Sequence, residues 1–305
     1  MKNQYEKTVL GVLFAVCCGC TVAQQANAST LNSWDYSIDS FNDGSGGPQY
    51  EIQGLAFKET ADSVFFALTG GTPLTGAPVS QAVNGTIALG DLFLNPSGQD
   101  FQTALAAGEV YGVRFAAAND SPLEMGLYKV DSAISVTGSN AGYPSLVDYH
   151  QSFPNATMGT DLVTQNDAYT YLYGDAVASN PDTSNTPILN IMESGTRLGG
   201  IDLLDRIQLT AEGLDFAGVA GGVWGTETFG FRFDRSLLPV TDADFIAHLL
   251  LECGNDAVAL AGNLEFDLAL EAGEQSVPEP SAVTGILAIS LFFSGWQLRR
   301  KRSSN

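Results

Sequence analysis

Histidine and cysteine are nearly missing from this chain of 305 residues, and their scarcity excludes a good deal of chemistry. Only His150 and His248 could act as an imidazole base, and hydrolytic triads need a base within reach of a nucleophile. His248 sits among apolar residues and His150 in a polar stretch, so both read as structural. Three of the four cysteines cluster at positions 17, 18 and 20 near the N-terminus, and the one that remains, Cys253, with two histidines falls short of the closely spaced four-ligand set of a structural zinc. Cations are scarce too: 13 Lys and Arg stand against 34 Asp and Glu. Between Ser29 and Leu298, seven cations face 33 carboxylates, a net charge of −26. Such a chain disfavours nucleic acid and favours divalent cations or cationic polymers. The carboxylates are scattered, as on a solvated surface. Neither a Walker-type phosphate loop nor a dinucleotide fingerprint occurs. Nothing selects any two of the 33 carboxylates as a glycosidase pair.

The two ends carry the strongest patterns. Lys2 and Lys7 flank a start that leads into the apolar run Val9 to Val16 and then Ala26-Asn27-Ala28. This order predicts a signal peptide over residues 1–28, with the small residues Ala26 and Ala28 placing the signal-peptidase cut before Ser29. The residues ahead of Cys17, Cys18 and Cys20 match a lipobox poorly. At the other end, Val277-Pro278-Glu279-Pro280 closes a linker over 272–280, followed by an apolar segment over 281–298 and by Arg299-Arg300-Lys301-Arg302 within the tail 299–305. A helix over 281–298 would be about 27 Å long, just enough for a hydrocarbon core of roughly 30 Å. The four cations would stay on the cytoplasmic side.

This three-part tail resembles the sorting signal of PEP-CTERM proteins, the exosortase-dependent surface proteins of Gram-negative bacteria, in Val277 to Ser281, the short helix, and Arg299 to Arg302. The resemblance implies that a membrane-embedded exosortase removes the tail as an inner-membrane intermediate passes to the cell surface or extracellular matrix. It also implies a role linked to exopolysaccharide and biofilm. Phe245 to Asp256 resembles the last strand and turn common in such proteins. Trp34-Asp35-Tyr36, Tyr50 to Gly54 and Gly90-Asp91-Leu92-Phe93 resemble one exosortase-dependent subfamily. None of these matches brings a catalytic residue.

Between the ends, residues 29–271 read as one exported, all-β domain, a jelly-roll-like β-sandwich with long loops. Trp34 to Ile38 and Tyr50 to Phe57 alternate with period two, and a five-residue loop from Lys58 to Asp62 joins the second run to Val64 to Leu68 as a hairpin. Further strands are expected at 86–89, 92–94, 110–116, 126–130, 133–137, 188–192, 200–209, 229–233, 245–253 and 263–270. Phe245 to Leu251 is nearly all apolar and predicts a central strand covered on both faces. The stretch from Gly138 to Pro187 reads as long loops, with Tyr169, Tyr171 and Tyr173 on one face of a short strand. Without the signal peptide, Cys253 is the sole cysteine, which rules out an intrachain disulfide; it is expected to pack as a small hydrophobe.

Oxygen ligands on loops suit calcium. The best local cluster is Asp39, Asn42 and Asp43 with Ser45, where Gly44 and Gly46 permit a tight turn; Asp242 with Asp244 is a second, less complete one. Turn-forming Asx residues give the same pattern without a metal, and no other cofactor is expected. The expected role is non-catalytic: an exported surface or matrix protein binding glycans, calcium or itself. The alternatives are a surface polysaccharide hydrolase and a permanently anchored single-span protein.

Overall fold

A computed structural model describes residues 33–265 apart from 41, 42, 45, 154 and 155. The signal peptide, the linker and the tail lie outside the described residues. Among the described residues no helix is long and apolar enough to cross a membrane.

The chain begins with β1 (Asp35–Ile38), β2 (Ile52–Glu59) and β3 (Ser63–Gly70), then a short ribbon of β4 (Ala77–Pro78) and β5 (Thr86–Ile87). There follow β6 (Leu92–Asn95), α1 (Phe101–Ala106), β7 (Tyr111–Arg114) and β8 (Gly126–Ile134). Next come α2 (Leu146–Ser152), α3 (Gln165–Tyr173) and α4 (Asp175–Ala178), then β9 (Ile191–Gly199), β10 (Asp202–Asp205) and α5 (Arg206–Ala211). The last elements are β11 (Glu227–Asp234), β12 (Ala243–Leu250) and β13 (Ala257–Leu264). Among the described residues the fold is β-rich, with 35% in strands and 21% in helices.

Two main sheets form, in the orders β1-β2-β3-β11-β10 and β13-β12-β6-β7-β8-β9, with every pairing antiparallel. Each is a meander extended by a later hairpin. The expected jelly-roll-like connectivity is therefore corrected: β1 to β3 and β6 to β9 run as meanders, each within one sheet, rather than alternating between the sheets. The β2–β3 turn is shorter than expected because Lys58 and Glu59 belong to the strand. Thr60 closes it, its N–H donating to the Ser63 carbonyl and its hydroxyl accepting from the Ser63 N–H.

Strand alternation sorts the side chains into separate cores. Val64, Phe66 and Leu68 of β3 share one core with Phe229, Phe231 and Phe233 of β11 and with Phe245, Ala247 and Leu249 of β12. Phe57 and Phe245, from different sheets, meet edge to face at 4.8 Å, and Phe115 stacks on Phe231 at 5.2 Å. The opposite face of β3, Phe65 and Ala67, packs with Leu209 of α5, Phe216 and Trp34. The other face of β12 carries His248 and Leu250, with Leu250 packing against α2 and α3. Burial on both faces explains why β12 reads as a continuous apolar run. A side chain such as Phe66, buried here, contributes about 1.5–3 kcal/mol relative to exposure.

The helical cover was not expected. Residues 138–187 contain α2, α3 and α4 in place of loops around a short strand. The tyrosine row lies on α3, where the Thr164 hydroxyl accepts from the Asp167 N–H and the Asp167 carboxylate accepts from the Thr164 N–H. Tyr169, Tyr171 and Tyr173 are buried, and Tyr169 and Tyr173, one helical turn apart, meet at 6.2 Å. The expected strand over 200–209 is cut short in the same way, because Asp205 caps α5. The two expected strands over 126–137 are one irregular strand, β8. The last strand is β13, which begins six residues earlier than expected at Ala257 rather than Asn263 because Gly254, at φ 67°, makes the turn immediately after β12.

Candidate functional site

Asp39 follows directly on β1, and its N–H donates to the Gln53 carbonyl. The chain then turns back through Gly44, where a Cβ would lie 2.4 Å from the Asn255 carbonyl oxygen and 3.2 Å from the Asp256 Cβ. A glycine at this position lets the backbone at Gly44 lie directly on the β12–β13 turn. The contact brings Asp256 to Asp39 and Asp43, and one carboxylate oxygen from each lies within 4.8 Å of the other two.

The three carboxylates differ in their donors. Asp256 Oδ2 accepts from the Ile52 N–H at 2.6 Å and Oδ1 from the Ala257 N–H at 2.9 Å. Asp43 Oδ2 accepts from both the N–H and the hydroxyl of Thr157 at 3.0 Å. Asp43 Oδ1 and both oxygens of Asp39 are buried without a hydrogen-bond partner, and Asp39 is only 3% exposed. Among the described residues no Lys or Arg ion-pairs with any of the three.

Burial pushes the Asp39 carboxyl well above its ordinary range, and repulsion from Asp256 and Asp43 adds to it. Burial does the same to Asp256, opposed by the Ile52 N–H and reinforced by Asp43 and Glu51. Tyr149 faces the same charges, which add to the effect of burial in raising its phenol. An uncompensated buried carboxylate is costly, so such a group takes up protons or holds a cation. With oxygen as the only donor type, the chemistry suits a hard cation rather than zinc.

A second set of buried acids is built differently. Asp91 is 0% exposed, yet Oδ1 accepts from the Asn119 side chain at 2.8 Å and Oδ2 from the Met192 N–H at 2.7 Å. Glu252, also 0% exposed, accepts from the Ala88 N–H at 2.8 Å and the Asp120 N–H at 2.5 Å. Burial raises Asp91 to about 6 and Glu252 to about 7, against those donors.

Of the residues singled out from sequence, Asp39 and Asp43 come together, while Asn42 and Ser45 lie outside the described residues. Asp242 and Asp244 are exposed, and Asp244 accepts from the Asn263 side chain. The sorting residues Val277, Pro278, Glu279, Pro280, Arg299, Arg300, Lys301 and Arg302, and the cleavage residues Ala26 and Ala28, lie outside the described residues. His248 is fully buried, with Nδ1 2.8 Å from the Tyr171 hydroxyl and its ring against Phe93 and Phe101; burial lowers it to about 3. His150 lies 3.7 Å from Asp182 and 3.4 Å from the Tyr169 hydroxyl. Cys253 is a buried free thiol in the shared core, raised to about 12 chiefly by burial. Sequence reasoning missed Asp256 and Thr157. Asp256 stood in plain sight in Gly254-Asn255-Asp256, but as a turn residue, and only the tertiary fold places it more than 200 positions back along the chain.

No family model, curated protein or solved structure matches the chain.

Proposed function

We propose that this is an exported, non-catalytic surface or extracellular-matrix protein, delivered through a C-terminal exosortase sorting signal and structural or adhesive in role. Its body is a β-sandwich whose two sheets share the phenylalanine-rich core. The observation that carries the reading is the one-signed surface. Six of the seven body cations are engaged within the fold. Lys58 pairs with Glu212 at 2.7 Å, Arg232 with Asp202 at 3.2 Å and Arg235 with the buried Glu59. Arg206 lies 4.1 Å over the Trp224 ring, and Arg114 and Arg197 donate to backbone carbonyls. What faces solvent and partners is predominantly acidic, suited to cations, cationic polymers or cation-bridged glycans and unsuited to polyanions.

The test is intact mass with C-terminal peptide mapping on protein recovered from the cell surface and from the membrane fraction. The expected surface form begins at Ser29 and ends between Val277 and Ser281. A surface form retaining Leu291-Phe292-Phe293 and the terminal cations would overturn exosortase sorting, and polysaccharide cleavage by the purified protein would overturn the non-catalytic role.

A further inference from the structure

We infer that Asp39, Asp43 and Asp256 bind one calcium ion that clasps the seam between the two sheets. The acidic cluster alone would not carry this assignment. The second observation is Asp39, whose carboxylate, 3% exposed, has two oxygens without a hydrogen-bond partner while lying within reach of the other two acids. Asp43 adds an unpartnered Oδ1. In the Asp91 and Glu252 network of the same fold, both carboxylates have donors on both oxygens. The missing donors are thus local to this cluster, where a cation would supply the compensation. Backbone carbonyls and water complete the coordination of calcium in such sites. The choice of calcium over magnesium rests on the proposed export, since millimolar calcium is met outside the cell.

The position of the cluster gives the ion a task. On one side of the molecule the chain passes from β9 in one sheet to β10 in the other through Gly200 and Ile201, so that seam is closed covalently. On the other side β1 and β13 are outer strands that approach each other without pairing. The segment 157–161 straps this gap. The Thr160 N–H donates to the Ile38 carbonyl at 2.9 Å, and its hydroxyl accepts from the Ile38 N–H at 3.1 Å. The Met158 carbonyl accepts from the Ala259 N–H at 2.9 Å, and Asp161 accepts from the Ala261 N–H at 2.8 Å. Gly159, at φ 88°, allows the close approach, because a Cβ there would lie 2.7 Å from the Ser37 hydroxyl. The strap is tethered at its start by the two bonds from Thr157 to Asp43. Asp43 therefore serves the strap with one oxygen and the ion with the other. Removing the ion sets three close-set charges, two of them buried, against one another and loosens the tether.

The experiment is calcium titration by isothermal calorimetry on the purified exported protein stripped with chelator, with hydrogen exchange read in parallel at Ile38, Thr160, Ala259 and Ala261. The expected result is one saturable site, with a Kd in the range of about 10⁻⁴–10⁻³ M typical of extracellular modules. Calcium is expected to slow exchange at those amides by about tenfold or more. Asp39→Asn, which removes a charge at nearly constant shape, should weaken binding by about tenfold or more, whereas Asp244→Asn should bind as the parent does. Absence of saturable binding, or parent-like binding by a folded Asp39→Asn, would overturn the site. Binding without added protection of the four amides would overturn the clasp. Both failures leave the sorting result, read from the mass of the mature chain, unaffected.

Discussion

Two groups of buried or half-buried carboxylates lie in this body, and they differ in what compensates them. Asp91 and Glu252 are enclosed by backbone N–H groups and an asparagine, so each oxygen has a donor. Asp39, Asp43 and Asp256 are as close-set as a metal site and lack three such donors. The first group ties loops to sheet ends: Glu252 holds Ala88 and Asp120 beside the β12–β13 turn, and Asp91 holds Met192 at the start of β9. The second leaves charge uncompensated where the loop after β1 meets the β12–β13 turn. Burial by itself is therefore a poor marker of function in an acidic protein. Burial with unfilled acceptors is the better one.

The largest expected effect falls on the satisfied group. Glu252→Ala would strand two buried N–H groups and should destabilise the body by about 2–4 kcal/mol, equally with calcium or with chelator, in denaturant titrations. A calcium-dependent loss would erase the distinction between the two groups. Next in size, Asp39→Asn should stabilise the chelated protein by about 1–2 kcal/mol by removing a buried, repelled charge, and should leave the protein insensitive to calcium. Thermal unfolding with and without the ion reads both signs, and a uniform destabilisation would place Asp39 with the structural acids.

The same comparison extends to pH dependence. Asp91 and Glu252 sit at about 6 and 7 in the fold, and Asp39 and Asp256 are raised as well, with Asp43, Glu51 and Tyr149 facing the last two and Asp120 facing Glu252. A carboxyl with a raised folded pKa adds stability that is fully present below its unfolded pKa of about 4 and is lost as pH rises through the folded value. In chelator the melting temperature should therefore fall between about pH 5 and pH 8. Calcium should offset part of that fall in the parent and none of it in Asp39→Asn. A melting temperature that rises with pH would contradict the assigned directions.

Much of the β architecture was legible locally. Alternation in Tyr50 to Phe57 and Val64 to Leu68, and the apolar run of β12, report strand faces because side chains alternate across a sheet and a doubly covered strand has no polar face. The helical cover was less legible, although Thr164 and Asp167 spelled a capping box ahead of the tyrosines. Aromatic residues at every second position looked like a strand, and their burial in α3 depends on the sheet beneath them.

By itself the sequence determined most of the strand segments, the acid excess, the scarcity of imidazole and thiol, and two of the three clustered acids, since these depend on residue type and short-range spacing. Tertiary structure decided which strands share a sheet, that 157–161 straps the open seam, and that Asp256 completes the cluster. Contacts of that kind join residues more than 100 positions apart, and they follow from how the sheets pack rather than from any local preference of the chain.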